Sequence, residues 1–322
     1  MARDLHLSIS LARNGVQVSF VSTPRNIQRL PQIPADVLSL IHFVDLPLPQ
    51  LDGNILAKGD EATVDIPFEK IQYLKIAYDR LKYPFEQLVI SKCPDWIIND
   101  FIPYWVIEIA QKNEIPVAFF SVFSTALTVF VGPPDSLFTD GVKRLRPSSE
   151  SLTVRPPWVD FPSSVAFRSH EAASFYAGAY MENASGISDV CRLAEVLQSC
   201  DLVAIRSCPE YEGQYLELYE ELLHKKVIPL TKEQVHEIAH GLELSGLPFL
   251  WALRRPIWAV HEDEVLPDGF VERTCSRGIE GNKLRSNLKD ATKIFGDHEL
   301  HRGYATKFVE YLRDNVKNKS LD

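Results

Sequence analysis

The segment 94–105 constrains the fold of this chain more than any other, because it places an acid directly after a short apolar strand. Residues 95–99 have the pattern of a buried strand, and Asp100 follows them. Apolar residues at helical spacing come next, at 105–110, and then a second apolar strand at 116–120. This order predicts neighbouring parallel strands. Ligands bind at the carboxyl ends of such strands, so Asp100 is a candidate for chemistry, with helix capping as the alternative.

The same alternation of strands and helices extends from residue 1 to about 230 and predicts an α/β fold with a mostly parallel sheet. The further predicted strands are 16–21, 40–44, 117–123 and 202–205, and the predicted helices include 5–13, 68–88 and 185–199. From residue 231 the pattern restarts with a helix, and one strand follows at 248–253. The residues after 231 therefore hold too few strands for a complete second α/β domain.

Composition narrows the possible partners and the cellular compartment. The 322 residues carry a formal net charge of -9, which argues against nucleic acid, since phosphate binding needs a clustered basic surface. Five cysteines form no Cys-x-x-Cys pair, and the first residues lack the apolar core of a signal peptide, so we expect free thiols in the cytoplasm. The longest nearly apolar run, 117–132, is too short for stable membrane insertion.

One short motif matches a metal site. His236, Glu237 and His240 fit the His-Glu-x-x-His pattern, in which two histidines on one helix face bind zinc and the glutamate acts as a base. Both histidines also flank an apolar stripe, where a solvated helix face accounts for them equally well. A zinc hydrolase is therefore an alternative that rests on this motif alone.

Five segments, in their order along the chain, give this sequence a resemblance to a known family. They are residues 18–27, 94–100, 204–210, 246–254 and 266–274. Together they resemble the plant family 1 UDP-dependent glycosyltransferases, and in particular the group that adds rhamnose or another sugar to flavonoid and triterpenoid glycosides. In that family the segment around His236 is an ordinary surface helix.

The resemblance implies a GT-B-like fold with two Rossmann-like domains, the N-terminal one lacking its first strand and the C-terminal one only a remnant. It implies an acceptor-binding domain at 1–230, a remnant of the UDP-sugar-binding domain at 231–298, and a C-terminal helix at 299–322. We expect that helix to pack back on the N-terminal domain.

The resemblance also implies a reaction. A sugar, rhamnose or glucose, passes from a UDP-sugar co-substrate to an acceptor hydroxyl by inverting displacement, with no cofactor and no metal. A histidine deprotonates the hydroxyl, and an aspartate at the position of Asp100 orients that histidine. The side chains expected to line the acceptor site, with core packing as the alternative for each, are Phe101, Phe123, Ser124 and Phe130.

Two departures from the family pattern lead us to expect little or no transferase activity from this chain. The histidine's Gly-His-x-x-Pro turn is not present, and His6 falls inside the following helix. The donor-binding box requires a tryptophan and a glutamine, yet no glutamine follows Gln234 and no tryptophan follows Trp258. A remnant that binds an acceptor without catalysis is therefore the main alternative function, and marginal stability is expected.

Overall fold

A computed structural model of the chain describes residues 2–138, 145–205, 207, 209–229, 249–250, 278–279 and 298–315. The motif at 236–240 and most of the predicted second domain lie outside these residues. The predicted division into domains stays a prediction for the same reason.

Helices and strands alternate along the described chain. The helices are α1 (Ala2–Arg13), α2 (Pro24–Gln28), α3 (Ile71–Asp79), α4 (Lys82–Lys92), α5 (Val106–Lys112), α6 (Thr125–Val131), α7 (Ser169–Ala179), α8 (Asp189–Ser199), α9 (Pro209–Leu223) and α10 (His298–Asp314). The strands are β1 (Val18–Ser22), β2 (Ile41–Asp45), β3 (Ile97–Asn99), β4 (Val117–Ser121), β5 (Leu202–Ile205), β6 (Val227–Pro229), β7 (Phe249–Leu250) and β8 (Gly278–Ile279).

Every described strand pair is parallel, which confirms the predicted α/β class. The strands form three sheets. β1 pairs with β2, the four-stranded sheet has the order β3-β4-β5-β6, and β7 pairs with β8. Within the described residues β1 and β3 do not pair, so the single sheet expected from the sequence is divided at this point.

The core lies on both faces of the four-stranded sheet, because successive side chains of a strand point to opposite faces. In β4, Val117 and Phe119 pack in the cluster that contains α5, α8 and α9. Ala118 and Phe120 pack in the cluster that contains Phe308 of α10 and Leu7 and Leu11 of α1. The result is a three-layer arrangement of helix, sheet and helix.

The predicted helix at 68–88 is two helices in the structure, α3 and α4. Pro84 explains the break. In a continuous helix its ring would clash with the carbonyl of Arg80, whereas in the first turn of a new helix its missing N–H costs nothing. The chain therefore ends one helix at Asp79 and begins the next at Lys82.

Candidate active site at the carboxyl ends of the strands

Asp100 lies where the sequence predicts, directly beyond the last residue of β3. β3 pairs in parallel with β4, with Asn99 opposite Phe119, and Ser121 of β4 pairs with Ile205 of β5. The carboxyl ends of these three strands therefore meet at one edge of the sheet. This edge is the position at which open α/β sheets bind ligands.

The local contacts of Asp100 form a turn and do not cap a helix. The Ile102 N–H donates a hydrogen bond of 2.8 Å to the Asp100 carboxylate, which is the geometry of an Asx turn. Helix α5 begins only at Val106, and the residue before it, Trp105, makes no side-chain cap. The helix-cap alternative for Asp100 is therefore wrong.

The environment of Asp100 is unusual for an exposed carboxylate. Asp100 is an exposed residue, yet the protein packed around its carboxyl raises the pKa of that group to about 6. Desolvation is the main cause, the negative charge of Asp4 adds to it, and the Ile102 N–H acts in the opposite direction. A cationic or proton-donating partner would stabilise the charged form of this carboxylate.

Two of the four expected acceptor-site residues lie together. Phe101 and Phe123 are 6.3 Å apart between ring centroids, in a tilted pair, and Phe123 is 40% exposed. Ser124 is also exposed, and it caps α6 by accepting a hydrogen bond of 3.3 Å from the Leu127 N–H. The exposed ring of Phe123 can stack against an apolar or ring-bearing ligand, while Phe101 also packs against the core.

Phe130 does not belong to this surface, which corrects the expectation for it. It is 1% exposed and packs in the core with Val131 and Leu137. The guanidinium of Arg146 lies 4.4 Å from its ring centroid and closes off the ring face. The core-packing alternative given for Phe130 therefore describes its position on the buried side of α6.

A buried acid that the sequence did not single out completes this edge of the sheet. The carboxylate of Glu212 accepts hydrogen bonds from the N–H groups of Thr125, at 2.9 Å, and Ala126, at 3.1 Å. The Ser207 hydroxyl donates to the same carboxylate at 2.5 Å. An acid thus neutralises the positive end of α6. No sequence pattern links Glu212 to α6, because 87 positions separate Glu212 from Thr125.

Three buried polar side chains that end or follow strands β1, β3 and β4 have no hydrogen-bond partner among the described residues. They are the amide of Asn99, which ends β3, and the hydroxyls of Thr23, after β1, and Thr125, in α6. Buried polar groups are nearly always satisfied by protein, water or a ligand. Asn99, the residue before Asp100, therefore has an amide that can still bind a further polar group.

Other candidate sites are weaker in the described part of the chain. No group of three metal-ligating side chains occurs there, and no described helix is long and apolar enough to cross a membrane. His236, Glu237 and His240 lie outside the described residues. An open apolar depression of about 330 Å³ borders β2, lined by Ile27, Leu30, Pro31, Gln32, Ile33, Leu38 and Phe43. It contains none of the expected site residues.

The fold and this edge of the sheet define a class of protein. The chain is similar in structure to a Glycyrrhiza uralensis enzyme, UGT73P12, solved with glycyrrhetinic acid 3-O-monoglucuronide. The TM-score is 0.51 at 17% identity, and the match covers 87% of this chain and 65% of that one. The fold is therefore that of the GT-B glycosyltransferases.

The sequence relatives narrow the class to one family. UDP-glycosyltransferase 91A1 of Arabidopsis thaliana is 38% identical over 322 aligned positions, which cover 85% of this chain and 67% of the relative. Soyasaponin III rhamnosyltransferase of Glycine max is 32% identical, with 87% and 66% covered. This chain belongs to the plant UDP-glycosyltransferase family, as its resemblance predicted. It spans about two thirds of the length of these relatives, and no protein-family model matches it.

Proposed function

We propose that the protein is by family a UDP-glycosyltransferase, whose reaction moves a sugar, rhamnose or glucose, from a UDP-sugar to a hydroxyl of a small plant glycoside, and that this chain retains the acceptor-binding part of that function. The acceptor binds at the carboxyl ends of β3 and β4, beside Phe101 and Phe123. The observation that carries this proposal is the position of Asp100, directly beyond β3 and next to Phe101, whose ring pairs with the exposed ring of Phe123. Two similar proteins support a glycoside acceptor, since one is named for a soyasaponin and the other was solved with a glucuronide.

In this mechanism Asp100 acts through a histidine. The imidazole removes the proton of the acceptor hydroxyl as the oxygen attacks the anomeric carbon and UDP leaves. The carboxylate accepts a hydrogen bond from the other ring nitrogen and stabilises the imidazolium that forms. Restricted hydration strengthens this interaction, because charges attract more strongly where water is excluded.

The chain of 322 residues carries only part of this machinery. It has no donor-binding box, since no glutamine follows Gln234 and no tryptophan follows Trp258. We therefore infer that this form binds the acceptor but transfers little or no sugar. We further propose that the protein is cytoplasmic, because its described cysteines are free thiols.

Isothermal titration calorimetry at low temperature tests whether this chain binds the acceptor without binding UDP. A flavonol 3-O-glucoside and a triterpenoid glucoside are titrated in turn, and UDP is titrated separately. We expect saturable binding of a glycoside and none of UDP. Product formation from UDP-rhamnose or UDP-glucose is measured in the same samples and is expected to be absent.

A pair of variants locates the acceptor site. Phe123→Ala removes the exposed ring and should weaken glycoside binding about five- to tenfold, the typical value of one aromatic contact. Tyr83→Ala removes a ring that is 69% exposed on α4 and should leave binding unchanged. Saturable UDP binding, sugar transfer at rates usual for an enzyme, or the absence of glycoside binding would each contradict the proposal.

A further inference from the structure

A buried arginine lies behind the loop that carries Asp100. The side chain of Arg192, in α8, is 0% exposed, and its terminal nitrogens donate two hydrogen bonds to the Asp79 carboxylate, at 2.7 and 2.5 Å. One of these nitrogens also donates to the Ile102 carbonyl at 3.0 Å, and the other donates to the Ser185 hydroxyl at 2.8 Å. Arg192 thus links α3, α8 and the loop between β3 and α5.

This arginine contacts the Asp100 loop in two ways. Ile102 accepts from Arg192 through its carbonyl and donates to Asp100 through its N–H, at 2.8 Å, so one residue joins the guanidinium to the carboxylate. The guanidinium also lies 4.9 Å from the centroid of the Tyr104 ring, in the same loop. Arg192 therefore contacts this loop at two residues, through a hydrogen bond to Ile102 and through the ring face of Tyr104.

Stability alone does not explain an ion pair whose arginine is fully buried and whose aspartate is 22% exposed. The desolvation of two charges offsets most of their attraction, and apolar pairs of similar size are often as stable or more stable. The guanidinium instead contributes a defined geometry, because its planar set of N–H donors orients several acceptors at once. A carboxylate that orients a base must be held within about 0.5 Å, so a rigid support behind its loop has a functional use.

We propose that Arg192, paired with Asp79, is a positioning residue that holds the β3–α5 loop in the conformation that presents Asp100. Its use in catalysis rests on the function proposed above. The coupling of Arg192 to Asp100 is a property of this chain and is measured without turnover.

The chain offers a matched control for the test. The double variant Asp79→Leu/Arg192→Met replaces the ion pair by apolar side chains and leaves the net charge unchanged. The control, Lys75→Met/Asp189→Leu, removes the neighbouring pair between α3 and α8, at 2.6 Å, whose charged groups form no hydrogen bond or ion pair with the described residues of the β3–α5 loop. Arg192→Lys is a third variant, which keeps the cation and loses the planar set of N–H donors. Asp4 and Tyr78, which interact electrostatically with Asp100, are retained in all three.

Two readouts follow the loop directly. The pKa of Asp100 is measured by carboxyl-carbon NMR, and the protection of the Ile102 amide is measured by hydrogen exchange. In Asp79→Leu/Arg192→Met we expect the pKa to fall from about 6 toward the ordinary value near 4, because a released loop hydrates the carboxylate. We expect Ile102 protection to fall at least about tenfold, with a smaller change of the same sign in Arg192→Lys.

The control variant distinguishes a specific effect on the Asp100 loop from a general loss of stability between α3 and α8. Equal changes in both double variants, or no change at Asp100 and Ile102 in any variant, would overturn the proposal. Should Asp79→Leu/Arg192→Met not fold, the same two readouts on Arg192→Lys decide the question. Glycoside binding by the unaltered chain is scored separately, so failure of the proposed function and failure of the positioning role give different results.

Discussion

At the scale of single residues, Asp100 combines two roles that usually exclude each other. Its carboxylate stabilises a turn by accepting from the Ile102 N–H, yet the surrounding protein disfavours its charge. Because the folded-state pKa of about 6 lies above the unfolded value, ionisation of Asp100 destabilises the fold. The stability that the neutral form contributes is complete below about pH 4 and is lost as the pH rises through 6.

We therefore predict that Asp100→Asn stabilises the chain in a pH-dependent way. Asparagine still accepts from the Ile102 N–H and carries no charge, so the gain over the unaltered chain should be present at pH 8 and should disappear toward pH 4. Urea unfolding of both proteins across this range measures it. A difference between the two proteins that does not change with pH would show that Asp100 has an ordinary pKa.

Glu212 supports a second prediction at this scale. Glu212→Gln keeps the size of the side chain but removes the charge and leaves one N–H of the α6 terminus facing a donor. The expected loss is about 1.5 to 3 kcal/mol in the free energy of unfolding, the usual value of a charge-assisted hydrogen bond. Glu217→Gln, at an exposed position of the same helix, is the control and should stay within about 0.5 kcal/mol. Equal losses would contradict the capping role.

The sequence could locate Asp100 but not its supports. A strand followed by an acid is a local pattern, and so is the aromatic residue next to it. Arg192 and Asp79 are 113 positions apart, and each has the appearance of an ordinary helix residue. Their pairing depends on how α3 and α8 pack, which no local pattern encodes. The expected acceptor-site role of Phe130 was wrong for a different reason: an apolar residue in the sequence can line a pocket or pack in the core, and local sequence cannot distinguish the two.

At the scale of elements, α10 is joined to the N-terminal part of the chain by packing and by two hydrogen bonds. Phe308 is 0% exposed and lies in one cluster with Phe120 and Leu202. The Trp96 indole N–H donates to the Leu312 carbonyl at 2.9 Å, and Arg313 donates to the Asn14 carbonyl at 2.6 Å. The helix therefore covers one face of the four-stranded sheet together with α1.

We predict that Phe308→Ala costs about 3 to 5 kcal/mol, the usual loss for a buried phenylalanine. Glu310→Ala, at an exposed position of the same helix, should change stability by less than about 0.5 kcal/mol. Urea unfolding followed by tryptophan fluorescence measures both variants. Equal midpoints for the two variants would contradict the packing of α10 against the sheet.

The bounds of β5 and of the helices α3 and α4 show which element boundaries hydrophobic periodicity can predict. The predicted strand at 202–205 coincides with β5, because a strand that is buried along its whole length has a clear apolar pattern. The helix predicted at 68–88 was wrong in its continuity, since the helical pattern persists through 80 and 81 while Pro84 forbids a continuous helix. Pro84 was visible in the sequence and would have located the break.

At the scale of the whole molecule, the division between β1 and β3 has consequences for stability. Each of these strands pairs on one side only within the described residues, and unpaired strand edges favour association with other chains. We predict a low and irreversible thermal transition, with aggregation on heating, measured by calorimetry and light scattering. A sharp, reversible transition from a monomer would contradict this prediction.

The central claim is that the acceptor binds beside Asp100, and hydrogen exchange with and without a flavonol 3-O-glucoside tests it most directly. We predict slower exchange at 99–102 and 121–125 when the glucoside is present, and unchanged exchange with UDP alone. Slower exchange confined to 27–43, which contains the apolar depression beside β2, or no change anywhere would contradict the claim.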